Sequence, residues 1–301
     1  MRLLVTGGSG FLGEYVLRAA VQHGHEVTAV ARSKAAAARV HWLGAHPVFG
    51  DLDNAATLAD AFEAGRCEAL LNLASLGFGH APAIVAATEA AQIPRAVFVS
   101  TTAVTTTLAA ASRKVRLAAE QRIRDSALDW TILRPTMIYG APGDRNLSRL
   151  LPLLRRAPLL PVPGGQHLQQ PVHVGDVAEA LLAVVEREGS VGTTYDIAGP
   201  EPLTFAELLR TAARAVASRT RFVPVPLPPV VAAARGYKLL SRNPRIRVEQ
   251  VLRLAEDKAF AIDAAVRDLG YAPRSFAEGI DAEARALGLG LESPFLTGIP
   301  A

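Results

Sequence analysis

A chain of 301 residues, half of them hydrophobic and a fifth charged, can bury one large core or two joined ones and is no disordered or fibrous sequence. The formal charge of +4 has no basic lobe behind it: residues 1–150 carry 15 Lys/Arg against 12 Asp/Glu, the remainder 17 against 16, which argues against a nucleic-acid partner. The single cysteine, Cys67, precludes an internal disulfide. The N-terminus has no secretory pattern, and the nearest approach to an apolar span, Phe222 to Ala234, holds four prolines, so a cytoplasmic protein without a membrane span is expected.

In chain order, apolar runs at 2–6, 26–31, 46–50, 68–74, 95–100 and 129–134 predict strands. Helical patterns lie between them near 11–23, 33–43, 54–64, 80–92 and 112–127. That alternation predicts an α/β fold, a doubly wound parallel sheet of Rossmann type. Beyond Gly140 the texture changes. Residues 141–146 read as a turn, 150–163 mixes leucines with prolines, and 170–176 reads as a strand leading to a helix capped by Asp176. Tyr195–Ala198 reads as one more strand, and 224–229 as a proline-rich turn. Thr204 with Glu207 and Ser275 with Glu278 have the spacing of capping boxes. The domain reading is a dinucleotide-binding part over 1–140, to which 170–198 returns. A smaller, mostly helical substrate lobe over 141–169 and 199–301 is expected to cover the carboxyl edge of the sheet.

Thr6-Gly7-Gly8-Ser9-Gly10-Phe11-Leu12-Gly13 stands between the first strand and the first helix. Glycines there let backbone approach a pyrophosphate, and the free N–H groups of the helix start favour the anion. Gly7, Ser9, Gly10, Phe11, Leu12 and Gly13 are therefore cofactor-binding candidates. The second strand ends on Ala31-Arg32-Ser33-Lys34 without an acid. An acid there accepts the ribose 2′-hydroxyl of NAD, whereas a guanidinium grips a 2′-phosphate, so Arg32 favours NADP over NAD. Asp51, with Leu52, either meets the adenine amino group or caps the next helix. Ala74 and Ser75 either pass under the cofactor ribose or simply pack. His23 and His25 flank a glycine with no further ligand at metal spacing, so no metal site is expected.

These elements resemble the extended and atypical short-chain dehydrogenase/reductase superfamily, whose members are epimerase/dehydratase-like. The likeness rests on Thr6–Gly13, the pair Asp51-Leu52, Ser100-Thr-Thr-Ala-Val104, Trp130-Thr-Ile-Leu-Arg-Pro135 with Ile138-Tyr-Gly140, and Pro171-Val-His-Val-Gly-Asp-Val-Ala178. The resemblance implies reduction of carbonyls, epimerisation or dehydration of nucleotide sugars, or work on quinone- or flavonoid-like substrates. It also implies Pro135 beside the cofactor and His173 in the segment that lines the substrate cleft, where a buried, hydrogen-bonded histidine is the alternative. In the variable lobe Arg145, Asn146 and His167 either meet a substrate or stand on an exposed loop. The resemblance further implies a homodimer paired through the helices at 80–92 and 112–127, the second of which offers Val115, Leu117 and Ile123. Those three would serve equally against the sheet.

The chemistry departs from the family pattern. Where the family places Tyr and Lys four residues apart on the fifth helix, this chain has Ser112 and Arg116. Neither a serine nor an always-charged guanidinium replaces a phenol as general acid. Lys114 lies about 200° round the helix from Arg116. Thr101, Thr102 and Arg116 are the remaining catalytic candidates, with Tyr139 either a donor or core. Two functions are expected from this pattern. One is an NADP(H)-dependent oxidoreductase or epimerase acting on a small carbonyl or sugar-nucleotide-like molecule without the Tyr-Lys pair. The other is a non-catalytic NADP(H)-binding redox sensor or assembly factor.

Overall fold

The computed structural model describes residues 1–108, 111–141, 143–240 and 252–290. The first half alternates as its sequence predicts: β1 (Arg2–Thr6), α1 (Phe11–Gln22), β2 (Glu26–Ala31), α2 (Lys34–Trp42), β3 (His46–Phe49), α3 (Ala55–Gly65), β4 (Ala69–Asn72), α4 (Ala81–Ala90), β5 (Arg95–Val99), α5 (Ala111–Arg124) and β6 (Asp129–Pro135). Then come β7 (Ile138–Tyr139), α6 (Leu147–Arg156), β8 (Leu159–Pro163), β9 (Leu168–Gln169), β10 (Val172–His173), α7 (Val174–Glu186) and β11 (Thr193–Ile197). The chain continues through β12 (Leu203–Thr204), α8 (Phe205–Ala215), β13 (Arg221–Val225), α9 (Leu227–Leu240), α10 (Asp263–Leu269) and α11 (Phe276–Ala286).

Seven parallel strands form the main sheet in the order β11-β6-β5-β4-β1-β2-β3. Chain order runs outward in both directions from β1 and β4, so a crevice opens between those two strands at their carboxyl ends, where such sheets bind ligands. The central strands β4 and β5 are buried along their whole length, as strands covered by helices on both faces must be. The outer β3 is half open. Leu4, Phe62, Leu70, Ile84, Phe98 and Ile123 share one core, and full burial of each such side chain contributes about 1.5–3 kcal/mol. Ile123 faces this core, and Val115 is exposed.

The chain divides into two compact units. The first comprises Met1–Thr136, Val174–Ala198 and Ala261–Pro273; the second takes the described parts of Met137–His173, Gly199–Phe260 and Arg274–Ala301. Segment 261–273, which the sequence reading leaves with the second lobe, thus joins the first unit. Its Tyr271 hydroxyl donates to the Ala198 carbonyl at 2.8 Å. The stretches 241–251 and 291–301 of the expected lobe, and residue 142 of the expected turn, lie outside the described residues.

In the second unit the strands pair only two by two, β10 with β7, β12 with β9 and β13 with β8. Tyr139, Leu151, Leu208 and Ile280 belong to its separate core. Both capping boxes form: Glu207 N–H donates to Thr204 Oγ1 at 3.2 Å and Glu278 N–H to Ser275 Oγ at 3.3 Å, each glutamate accepting in return from the cap N–H.

Two local expectations are corrected. α7 starts at Val174, directly after β10, so Asp176 lies inside its first turn instead of capping it. The prolines at 224–229 are no turn: Pro224 lies within β13, whose parallel pairing with β8 runs on to Val225, and Pro228 and Pro229 fall in the first turn of α9, where a missing N–H costs nothing. Residues 150–163 split into α6, which carries Pro152, and β8.

Candidate cofactor and active site

The glycine turn sits at the carboxyl end of β1, at the crevice. Gly7 has φ +72°, and a Cβ on it would meet the Ala74 nitrogen at 2.9 Å and the Leu73 carbonyl carbon at 3.0 Å, so only glycine lets the β1 and β4 ends close together. A Cβ on Gly13 would lie 2.4 Å from the Gly8 oxygen and 2.5 Å from that of Gly7; this absence of a side chain lets the first turn of α1 press onto the loop. The Thr6 hydroxyl donates to Asn72 Oδ1 at 2.6 Å and fastens the same two strands. The cap residue of α1 is Gly10, with no side-chain acceptor for the first N–H groups. Orphan N–H groups on a loop stripped of side chains suit a phosphate anion. Ser9, Phe11 and Leu12 lie half-buried on this turn.

Arg32 directly follows β2, the neighbour of β1, with an exposed side chain and no ion-pair partner among the described residues. Ser33 accepts from Ala36 N–H at 3.2 Å and caps α2. The two readings of Asp51 separate: Asn54, not Asp51, caps α3 by accepting from Ala56 and Thr57 N–H. Asp51 accepts instead from Asp53 N–H at 3.1 Å, a local turn beyond β3. Leu52 packs half-buried against the core. Beyond β4, Ala74 is half-buried under Gly7, and exposed Ser75 accepts from Gly77 N–H at 3.3 Å.

Arg116 reaches this same edge. Its guanidinium lies over Gly77, where a Cβ would come within 3.0 Å of its Cζ. The structure thus brings Arg116, from α5, beside the loop that follows β4. Thr101 and Thr102 stand at the end of β5, the next strand. Thr101 Oγ1 accepts from Ala103 N–H at 3.2 Å, which leaves its hydroxyl hydrogen available. Thr102 is buried, and its hydroxyl faces the carbonyl of buried Pro135 at 3.4 Å.

One cluster escapes the sequence reading. Glu120 follows Ser112 and Arg116 on the same helix face, at steps of four, and is fully buried. It accepts from the Ser100 hydroxyl at 2.6 Å and from Arg134 Nε at 2.9 Å, with a second Arg134 nitrogen on its other oxygen and Arg124 at 2.9 Å. Burial alone would raise its pKa, but the Arg134 and Ser100 donors outweigh burial and hold the carboxyl below its ordinary range. Asp196, on β11, is pushed the other way, chiefly by burial. The available signal was a charged residue on the sheet-facing side of α5, between Ala119 and Ile123.

The remaining candidates lie in the second unit. Tyr139 is core: its ring meets Phe276 and His173 edge-on, at centroid distances of 5.3 and 5.5 Å. Its hydroxyl lies against Gly279, where a Cβ would fall 2.0 Å away. His173 is buried, and burial, helped by the Arg274 charge, pushes its pKa down to about 4, so the imidazole is neutral. Asn146 is exposed at the start of α6 but its side chain caps nothing; Asp144 does so, accepting from Asn146, Leu147 and Ser148 N–H. Arg145 is exposed, and His167 Nδ1 lies 3.2 Å from Asp257.

The profile of a family described as NAD(P)H-binding matches residues 7–188. The chain is 30% identical to a 4-hydroxy-2-methyl-3-oxo-4-farnesyl-3,4-dihydroquinoline-1-oxide ketoreductase of Stigmatella aurantiaca, over 94% of this chain and 95% of that one. It is 29% identical to a 2-alkyl-3-oxoalkanoate reductase of Stenotrophomonas maltophilia, over 93% and 97%. Its fold is similar to that of the UDP-glucose 4-epimerase from Thermotoga maritima, with a TM-score of 0.74 at 16% identity, covering 96% of this chain and 99% of the other.

Proposed function

The chain belongs to the NAD(P)H-binding family, and from that premise we propose that it is an NADPH-dependent reductase of the epimerase-like short-chain dehydrogenase/reductase kind, acting on a ketone carried on an apolar chain. The observation that carries the reading is the glycine turn at the crevice, built so that Gly7 and Gly13 exclude every Cβ and α1 begins without a side-chain cap. Two relatives that match over nearly their whole length are named for oxo substrates bearing farnesyl or alkyl groups.

The residues fit a nicotinamide dinucleotide. Gly7 to Gly13 would hold the pyrophosphate, Arg32 the 2′-phosphate, and Asp51, Ala74 and Ser75 the adenosine side. Bound there, the cofactor supplies a hydride to the ketone carbon. The chain's own task is the oxygen, which gains negative charge and then a proton. Arg116 stabilises that charge as a fixed cation and keeps its own protons. The Thr101 hydroxyl hydrogen, which has no acceptor among the described residues, supports this residue as the donor that passes a solvent proton to the oxygen. Thr102 and Pro135 hold the β5 and β6 ends in place. A hydroxyl is a poorer acid than a tuned phenol, and a rate lower by about 10²–10⁴ is the cost of that exchange.

The second reading, NADP(H) binding without turnover, is favoured by Ser112 and Arg116 standing where the family has Tyr and Lys. One experiment separates the two: NADPH oxidation with long-chain 3-oxo esters and prenylated ketones, beside NADPH and NADH binding. The reductase reading expects turnover that falls at least tenfold in Thr101→Val and Arg116→Ala. It also expects Arg32→Ala to weaken NADPH by about tenfold to a hundredfold, the worth of a charge-assisted bond, with NADH unaffected. Tight NADPH binding with no turnover of any ketone overturns the reductase and leaves the sensor.

A further inference from the structure

At the end of α1 remote from the glycine turn, tertiary structure completes a ligand set that the sequence leaves unfinished. His23 caps the C-terminus of α1, and His25 stands directly before β2, with Gly24 between them at φ +78°. α7 brings Glu186, its last residue, to both rings: Glu186 Oε1 lies 3.0 Å from His25 Nε2 and 4.0 Å from His23 Nδ1. One ligand atom from each of the three residues lies within 4.8 Å of the other two. We propose that His23, His25 and Glu186 form a binding site for a divalent late transition metal of the Zn²⁺ class.

Three features support this chemistry over a fortuitous ion pair. First, spacing: tetrahedral ligands at 2.0–2.2 Å from zinc sit roughly 3.3–3.5 Å apart, and the observed separations need only side-chain rotation to reach that. Second, orientation: His23 Nε2 lies 3.4 Å from Glu179 Oε2, two helical turns back on α7. With Nδ1 on the metal, Nε2–H donates to a carboxylate, the outer partner that metal-bound imidazoles ordinarily have. Third, charge: the Met1 ammonium, 3.3 Å from His25 Nδ1, must turn away when Nε2 takes a metal, and against that one positive charge stand the carboxylates of Glu179 and Glu186 and the helix-terminal carbonyls where α1 and α7 end. His25 has a nearly buried side chain, 6% exposed, while His23 and Glu186 are 42% and 44% exposed, which leaves an entry path and room for a water as fourth ligand. Imidazole and carboxylate together suit Zn²⁺, Ni²⁺ or Cu²⁺ better than Mg²⁺ or Ca²⁺, which prefer all-oxygen shells. Such an ion would cross-link α1 and β2 to α7 about 18 Å, the length of α1, from the cofactor turn.

The test uses the full, untagged chain stripped of metal with a chelator. Zn²⁺ alone, titrated calorimetrically at neutral pH, is expected to bind one ion per chain and to raise the unfolding midpoint, whereas Mg²⁺ does neither. His23→Ala and Glu186→Gln are each expected to weaken Zn²⁺ by at least about tenfold, and Glu179→Gln by about tenfold as an outer partner, while NADPH binding stays unchanged. Co²⁺ should give the intense visible bands of a tetrahedral site in the parent protein and lose them in His23→Ala. A site that keeps its affinity in both His23→Ala and Glu186→Gln overturns the proposal, and so does a parent protein that binds Zn²⁺ more weakly than about 0.1 mM.

Discussion

Gly13 shows how narrowly a single residue can be specified. The atom that alanine would add lies inside the contact distance of two carbonyl oxygens, both backbone and therefore unable to rotate away. Gly13→Ala must push α1 off the loop, at a cost on the order of 1–3 kcal/mol. NADPH affinity is expected to fall tenfold or more with the far-ultraviolet dichroism retained, which fluorescence titration of NADPH will check. Gly24→Ala is the control: its φ is +78° but nothing lies within 4 Å of a Cβ. It should lower stability by about 1 kcal/mol and leave NADPH affinity alone. Arg116 is specified differently, by its neighbour: its guanidinium lies over Gly77, where a Cβ would come within 3.0 Å of its Cζ, so the loop after β4 takes a glycine there.

At the scale of elements, the fifth helix is held to the sheet by charge as well as by apolar contact. Glu120 joins α5 to β5 through Ser100 and to β6 through Arg134. Glu120→Ala removes the hydrogen-bonded counter-charge of the Arg134 guanidinium, 19% exposed, and leaves it only the charge of Asp196 nearby. A loss of about 3–5 kcal/mol is expected, read as a lower urea midpoint. Arg124→Ala removes only the more exposed partner and should cost no more than about 1 kcal/mol. Equal losses in the two variants would mean that the network is not what holds α5. Because Glu120 shares its helix face with Arg116, this clamp also fixes where Arg116 emerges beside the loop after β4.

For the whole molecule, two buried groups set opposite pH slopes. Burial, then the neighbouring Asp144 carboxylate, pushes Glu283 up from 4.5 to about 8, and neither of its oxygens finds a well-directed hydrogen bond. A raised folded-state pKa means that the native protein holds a proton which the unfolded chain has released. Stability from Glu283 is therefore complete below pH 4.5 and is lost as pH rises toward about 8. His173, lowered from 6.5 to about 4, works the other way: stability rises from pH 4 to 6.5 and is level above that. The two offset each other below pH 6.5, and above it the Glu283 slope stands without that opposition. The urea midpoint is expected to fall between pH 6.5 and 8, and Glu283→Gln, whose amide can donate to Asp144 at any pH, should flatten the fall. An unchanged slope in Glu283→Gln would assign the pH dependence to other groups.

Sequence alone determined the Rossmann alternation, the glycine turn and both capping boxes, because each depends on residues within a few positions of one another. Strand and helix periods are local, and so is the need for glycine between β1 and α1. The expectation that Ser112 and Arg116 stand where the family has Tyr and Lys is of the same local kind, since it reads spacing along one helix. What reads as local but is decided by partners far along the chain was not legible. Tyr139 became core because β7 sets it against α11, and 261–273 joined the first unit through Tyr271. The Glu120 cluster draws on residues 100, 120, 124 and 134, and the His23–His25–Glu186 set spans more than 160 positions. Only the tertiary structure could assemble these, because a buried charge or a ligand set is defined by distances in space, and sequence spacing fixes distances only along a single element.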